Sequence, residues 1–321
     1  MLANFLTVGQ QVIILFLLIG VGFVCGKIKF LADTAVTGMT DFVLYIVTPC
    51  VMIQAFQRHF DAALAGIFLQ AVLFAIITTV ISWLLARFTL HDGDIRRESV
   101  YRFSAIFSNC GFMALPLESA LLGADGLFFG AAYLAVFNIT VWTLGLYMMS
   151  HNKKVLSLKK LITNPGILGV VVGLILFVTS TTLPNLLETP IEYMAALNTP
   201  IPMIVIGYHL SNANLANVFR DFRAWLALAE RLIIIPLLGI AVGLLMHMDA
   251  TAFTSCMVGL CTPTAAMCTM FSVIYAQDSE LSVSLVSMST LLSLDTDQAT
   301  KKAYRSHQLR YAFFYRFHFS V

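Results

Sequence analysis

The stretch AALAGIFLQAVLFAIITTVISWLLAR, residues 62–87, holds a single charged residue, and that residue is its last. A helix rises about 1.5 Å per residue, so roughly 20 apolar residues cross a hydrocarbon core about 30 Å thick. Inside lipid every backbone polar group must be satisfied by protein, which leaves only helices or closed barrels. The apolar positions here run on without the alternation of a barrel strand, so the stretch reads as a spanning helix. Runs of the same kind recur along the chain, near 5–26, 34–56, 99–122, 125–149, 165–182, 190–211, 223–247, 251–276 and 279–294. The tenth run is too short to cross unaided. The first is not a cleaved signal peptide, because nothing basic precedes it and its apolar core is too long.

Composition agrees with that reading. The 321 residues are 59% hydrophobic and 11% charged, against roughly a quarter charged in soluble domains. A net charge of +2 says little about partners, but its distribution is informative. Alternate connecting segments carry Lys27 and Lys29; Arg87, Arg96, Arg97 and Arg102; Lys153, Lys154, Lys159 and Lys160; and Arg220 and Arg223. The opposite segments carry only Arg58, with Asp125, Glu188, Glu192 and Asp249 among the acids. Twelve basic residues against one is a positive-inside pattern. It puts the basic side in the cytoplasm and the N-terminus outside, in a cell inner membrane. The six cysteines fall in or beside spans at no metal or redox spacing and read as packing residues.

The two halves echo each other. Gly22-x-x-x-Gly26 in span 1 matches Gly169-x-x-x-Gly173 in span 6 at an offset of 147. Thr48-Pro49 in span 2 matches Thr199-Pro200 in span 7 at 151, and Pro116 in span 4 matches Pro263 in span 9 at 147. Each match is cheap alone, since small-xxx-small patterns are common in membrane helices; the shared order is what argues for duplication. Five spans is an odd number, so a five-plus-five duplication must be inverted. Such repeats place their substrate site near the midplane, where interrupted helices meet. The expected fold is thus an all-α polytopic membrane protein of two inverted five-helix repeats, with broken crossing helices at spans 4 and 9. Residues 1–150 form the first repeat and 165–294 the second. Residues 151–164 form a basic cytoplasmic linker drawn to anionic headgroups.

Span 4 is the least ordinary helix: FSNCGFMALPLESALLG places Ser108, Asn109, Gly111, Pro116 and Glu118 at membrane depth. Pro116 removes a backbone donor and crowds the preceding turn, so a break is expected there that frees carbonyls near 112 and 113. Half-helix ends exposed by such a break carry partial charges that meet ions or anions. Span 9 offers Thr262, Pro263, Thr264 and Thr269 among small residues. Ser108, Asn109, Gly111, Pro116, Thr262, Pro263 and Thr264 are the substrate-binding candidates. Thr48, Pro49, Thr199 and Pro200 are expected as scaffold breaks. Glu118 is a candidate for a coupling proton, since burial raises a carboxyl pKa; a position near the outer interface is the alternative. Asn138 is a second coupling candidate, with a helix-stitching hydrogen bond as its plainer role. Adjacent in span 8, Glu230 and Arg231 point to different faces, and Arg231 is expected to snorkel to the cytoplasmic interface.

SNCGFMALPLESALLG, followed by GLFFGAAYLAVFNITVWTLG and joined by YIVTPCVMIQAF and LNTPIPMIVIGYHL, resembles the auxin efflux carrier family in its bacterial form. The resemblance covers roughly residues 5–293. It implies ten helices, with spans 1, 2, 6 and 7 as a scaffold and the rest as a moving domain. Spans 4 and 9 would be unwound where they cross. In plant relatives an Asn in span 4 and the crossover help hold a substrate carboxylate, and Asn109 and Pro116 match that pattern. A further crossover proline of those relatives has no counterpart around Cys268–Met270.

The chain has no phosphate-binding Gly-x-x-x-x-Gly-Lys loop, no His-Glu-x-x-His motif and no voltage-sensor arginine ladder. After residue 293 the apolar pattern stops abruptly and a polar and aromatic tail, residues 295–321, begins. The tail's basic residues suit the cytoplasmic side, with YAFFYRFHF at the interface. The leading expectation is a permease moving a small organic anion, such as a carboxylate, by alternating access. No enzyme activity, cofactor, metal or nucleic acid is expected; the partners are the anion, the bilayer and a second copy of the chain. A non-transporting sensor with the same fold, and an inactive product with a damaged C-terminus, stay open.

Overall fold

In the computed structural model, residues 2–152, 154, 163–213 and 218–293 are described, and among them all regular structure is helical. Most of the linker expected at 151–164, and the whole tail, lie outside those residues. In chain order the helices are α1 (Leu2–Lys27), α2 (Asp33–Ala55), α3 (Ala62–Thr89), α4 (Ile95–Ile106) and α5 (Cys110–Ser150). Then follow α6 (Pro165–Val178), α7 (Asn185–Ala196), α8 (Pro200–Asn212), α9 (Phe222–Leu245), α10 (Ala250–Cys261), α11 (Met267–Ile274) and α12 (279–293).

Four of these, α2, α3, α5 and α9, are long and apolar enough to cross a membrane as single helices. The shorter apolar helices include 13–27 of α1, α6 and α10. Bulky apolar side chains stand exposed on the outside of the bundle, Leu17, Leu69, Ile175 and Leu237 among them. That is the surface lipid would cover, and the chain is a multi-pass membrane protein. Carboxylates and one amide cap the helix starts: Asp61, Asp94, Asn164, Asp221 and Asp249 accept N–H groups at the first turns of α3, α4, α6, α9 and α10. Each such cap is worth about 1 kcal/mol.

Between lipid-solvated helices there is little hydrophobic drive to associate, so close backbone contact matters more. The small-residue pairs supply it. A Cβ on Gly22 would lie 2.0 Å from the Ile204 carbonyl oxygen, and one on Gly26 2.0 Å from Ser211 Oγ, so α1 lies directly against α8. Gly169 and Gly173 bring α6 against Pro49 and Met52 of α2 and Phe56 just beyond its end, where added Cβ atoms would lie 2.7 Å from Pro49 Cα and 2.5 Å from Phe56.

The basic connecting segments share one face. Arg97 pairs with Asp221 at 2.5 Å and Arg223 with Asp92 at 3.1 Å. Ser99 reaches His151 at 2.9 Å, and Gln277 Nε2 donates to the Met149 carbonyl at 2.5 Å. At the other face Arg58 meets Asp125 at 2.6 Å, and the Phe60 N–H donates to Ser180 Oγ at 2.9 Å. These contacts join the segments near 92–99, 151 and 221–223, and separately those near 58–60, 125 and 180, as the charge reading grouped them.

Several boundaries differ from the expected spans. Span 7 is two helices, α7 and α8, separated by a turn at 197–199. The second half of span 4 and all of span 5 run together as α5, bent at Gly123, whose φ of 61° suits a residue without a Cβ. Thr48-Pro49 does not break its span. A five-residue π turn, Val43–Val47, precedes it, and Thr48 Oγ1 donates to the Val43 carbonyl at 3.0 Å. The same device precedes Pro116 and Pro236, at Cys110–Ala114 and Glu230–Ile234. Widening the turn carries the carbonyl four residues back away from the proline ring, so the helix absorbs the proline and continues.

Candidate functional site

The interruption in span 4 falls at 107–109, not at Pro116. Helix α4 stops at Ile106, and Phe107 is extended, with φ −99° and ψ 115°. Span 9 opens at 262–266, where Thr262 is extended too, with φ −63° and ψ 154°. These two openings lie against each other as a short antiparallel pair centred on Ser108 and Thr264. The Asn109 N–H donates to the Pro263 carbonyl at 2.7 Å, and the Ala265 N–H to the Phe107 carbonyl at 2.9 Å. Pro263 therefore sits inside its break while Pro116 sits eight residues after its own, so the two prolines are not equivalent positions. Ser108 and Thr264 are 156 residues apart in the chain.

Side chains from three elements secure the crossing. Thr264 Oγ1 donates to the Ser104 carbonyl at 3.1 Å, and the Thr264 N–H donates to Ser289 Oγ of α12 at 3.1 Å. Thr262 Oγ1 turns back to the Gly259 carbonyl at 2.9 Å. Residues 279–293, read as a deficient span, thus contribute a hydroxyl to the centre of the molecule. From the turn between α7 and α8, Asn198 Nδ2 donates to the Gly111 carbonyl at 2.9 Å.

Ser108, Asn109, Thr262 and Thr264 are all buried. Among the described residues, Ser108 Oγ, Asn109 Nδ2 and Thr269 Oγ1 make no hydrogen bond of normal geometry. Unsatisfied buried polar atoms are costly, and their concentration at a helix crossing marks it as the functional candidate. Immediately beyond the two openings, α5 and α11 begin with their N-terminal ends, at Cys110 and Met267.

Arg231 does not snorkel. It is 0% exposed, and its guanidinium points into the bundle, where Nη1 donates to the Ala105 and Ile106 carbonyls at 3.1 and 2.9 Å. Its Nη2 donates to the Leu260 carbonyl. Glu230 turns the other way and accepts from Thr89 Oγ1 at 2.5 Å, so the two neighbours do face apart. The physical reason is the set of helix-end carbonyls within the guanidinium's reach, which offer it acceptors inside the bundle.

Glu118 is 1% exposed, enclosed by protein on every side. Its carboxyl lies in a cradle of glycines: a Cβ on Gly130 would be 1.7 Å from Oε2, one on Gly126 2.4 Å from the Glu118 carbonyl oxygen, and one on Gly259 3.6 Å from Oε1. Oε2 has no hydrogen-bond partner among the described residues. Asn138 is placed elsewhere, beside Gly166 and the capping Asn164 where α5 meets α6. Its Nδ2 is also unpartnered, so the stitching bond expected of it is not made by that atom. Among the described residues no group of histidines, cysteines and carboxylates could hold a metal ion.

The residues missed from sequence were Arg231, Asn198 and Ser289. Each left a trace: a charge well inside span 8, an amide beside Thr199-Pro200, and a run of serines along a short last span.

A multi-pass bundle, helical throughout its described residues, with two interrupted helices paired in its buried interior is consistent with a membrane transport protein. The chain belongs to the membrane transport protein family, whose pattern it matches over residues 7–296; this is the family of the auxin efflux carriers. No curated protein matches it significantly.

Proposed function

We propose that the chain is a secondary transporter that moves a small organic anion, of the carboxylate class, by alternating access around the crossing of 107–109 and 262–266. The observation that carries this reading is the convergence there of two helix N-terminal ends with the unpartnered Ser108 Oγ, Asn109 Nδ2 and Thr269 Oγ1. Donor groups and positive helix ends are what a carboxylate needs. No lysine or arginine is required for that, so the site suits a small, weakly held ligand.

In this reading the two halves are inverted repeats. The reciprocal packing of the glycine pairs, α1 on α8 and α6 on α2, supports it. So does the presence of one opened helix in each half. Spans 1, 2, 6 and 7 act as the scaffold, and Asn198 links that scaffold to the moving crossing. Glu118, buried in its glycine cradle next to the span 4 opening, serves as the proton-carrying group. The basic face is cytoplasmic, the N-terminus lies outside, and two copies associate in the inner membrane.

The test is flux into proteoliposomes of a panel of radiolabelled mono- and dicarboxylates, comparing wild type with Asn109→Ala. Saturable uptake of at least one anion, reduced roughly tenfold or more by loss of a hydrogen bond to charge, is the expected result. A folded wild-type protein that carries none of the panel would favour the non-transporting sensor instead.

A further inference from the structure

Helix α4 ends at Ile106 and α10 at Cys261, so each leaves terminal carbonyls without a helical donor. In an unbroken helix the Ala105 carbonyl would receive the N–H of Asn109, but that N–H is spent on Pro263. The Leu260 carbonyl would receive the N–H of Thr264, which is spent on Ser289. Both abandoned carbonyls, and that of Ile106, are taken by the single guanidinium of Arg231, which comes from a third helix.

This cation has no acidic partner to explain its burial. Among the described residues no carboxylate lies within ion-pair distance of it: Glu230 is turned to Thr89, and Glu118 lies in its glycine cradle. The titratable groups that interact with it electrostatically include Tyr133, Cys261 and Cys110. Its counter-charge is therefore the pair of negative helix ends themselves, which converge from two helices on one planar fork.

We propose that Arg231 is the clasp of the crossing: a positioning residue that joins the C-terminal ends of both opened helices into one unit. The fork holds 105–106 and 260 against each other, and so fixes the separation of the N-terminal ends that begin at Cys110 and Met267. This assignment rests on main-chain geometry and does not depend on the transport reading.

Hydrogen–deuterium exchange on the purified protein in lipid nanodiscs tests it without any substrate. Arg231→Met should raise amide exchange at 107–112 and 262–268 together, by roughly tenfold or more, since bonds to a charged donor are lost from both strands at once. The α1–α8 contact should be unaffected. Methylguanidinium added to Arg231→Ala should restore protection at both segments in a saturable way, which a packing role would not show. If Arg231→Met fails to fold, Arg231→Lys serves, because one ammonium lacks the fork for three carbonyls; both segments should loosen, by less. Unchanged exchange in a folded Met or Lys variant, loosening confined to α9, or absence of rescue by methylguanidinium would each overturn the clasp.

Discussion

Replacing Gly130 with alanine probes the room that the fold leaves for the buried Glu118 carboxyl. The new methyl carbon would lie 1.7 Å from Glu118 Oε2, 2.6 Å from Cδ and 3.1 Å from Oε1, so the carboxyl must move. At 1% exposure the carboxyl is packed on all sides, so swinging it aside displaces its neighbours. Overpacking of that kind costs about 1–3 kcal/mol. In a Glu118→Ala background the obstacle is gone, and the same methyl enters the space the carboxyl left. Gly130→Ala should then cost almost nothing, giving a coupling energy of about 1–3 kcal/mol between the two sites, at the upper part of the usual range for touching residues. Unfolding of the detergent-solubilised protein, followed through the fluorescence of Trp83, Trp142 and Trp225, supplies the four corners of the cycle. Gly66→Ala, which has open space around it, is the control and should be neutral or slightly stabilising through helix propensity. Additivity within about 0.5 kcal/mol would refute the cradle, as would a neutral Gly130→Ala in the wild-type background.

The scaffold contact should be equally position-specific: Gly22→Leu drives a side chain into the Ile204 backbone and should cost about 3 kcal/mol or more, whereas Gly20→Leu, in open space on the same helix, should stay within about 0.5 kcal/mol, as thermal melts of the two variants would show. At the aqueous end of α4, hydrogen bonds from the Arg96 side chain, then from its N–H, hold the Asp94 carboxyl below its ordinary range. A lowered folded pKa stabilises above the unfolded value of about 3.9 and loses that contribution as the pH falls through the folded one. The stability difference between wild type and Asp94→Asn should therefore be full at neutral pH and shrink in melts taken below about pH 4.

Hydropathy made the membrane-spanning class plain, and charge made the grouping of connecting segments plain, because both depend on composition averaged over many residues. The helix interruptions were another matter. Proline was taken as their cause, yet Pro49 and Pro116 are absorbed by π turns, while 107–109 opens with no proline in it. What opens it is competition: the Asn109 N–H bonds to Pro263 across the crossing instead of to Ala105 along the helix. A contact between residues more than 150 positions apart has no local signature. The direction of Arg231 was hidden for the same reason. Sequence shows that a long cation lies within a span, but whether it reaches water or inward depends on where unmatched carbonyls happen to converge.

That convergence also bears on which charge the crossing favours. Four helix ends meet there. The two C-terminal ends, the natural seat for a cation, are answered by the guanidinium that the protein supplies. Near the two N-terminal ends, at Cys110 and Met267, lie the neutral side chains of Ser108, Asn109 and Thr269. If the crossing is the substrate site proposed above, its negative poles neutralised and its positive poles left would favour an anion, although no hydrogen bond from a basic side chain reaches the opening itself among the described residues. On this account the anion preference of the proposed carrier originates in α9, one helix removed from the strands that would touch the substrate. A selectivity change would then follow from altering Arg231 more readily than from altering Ser108 or Thr269, whose hydroxyls can serve a ligand of either sign.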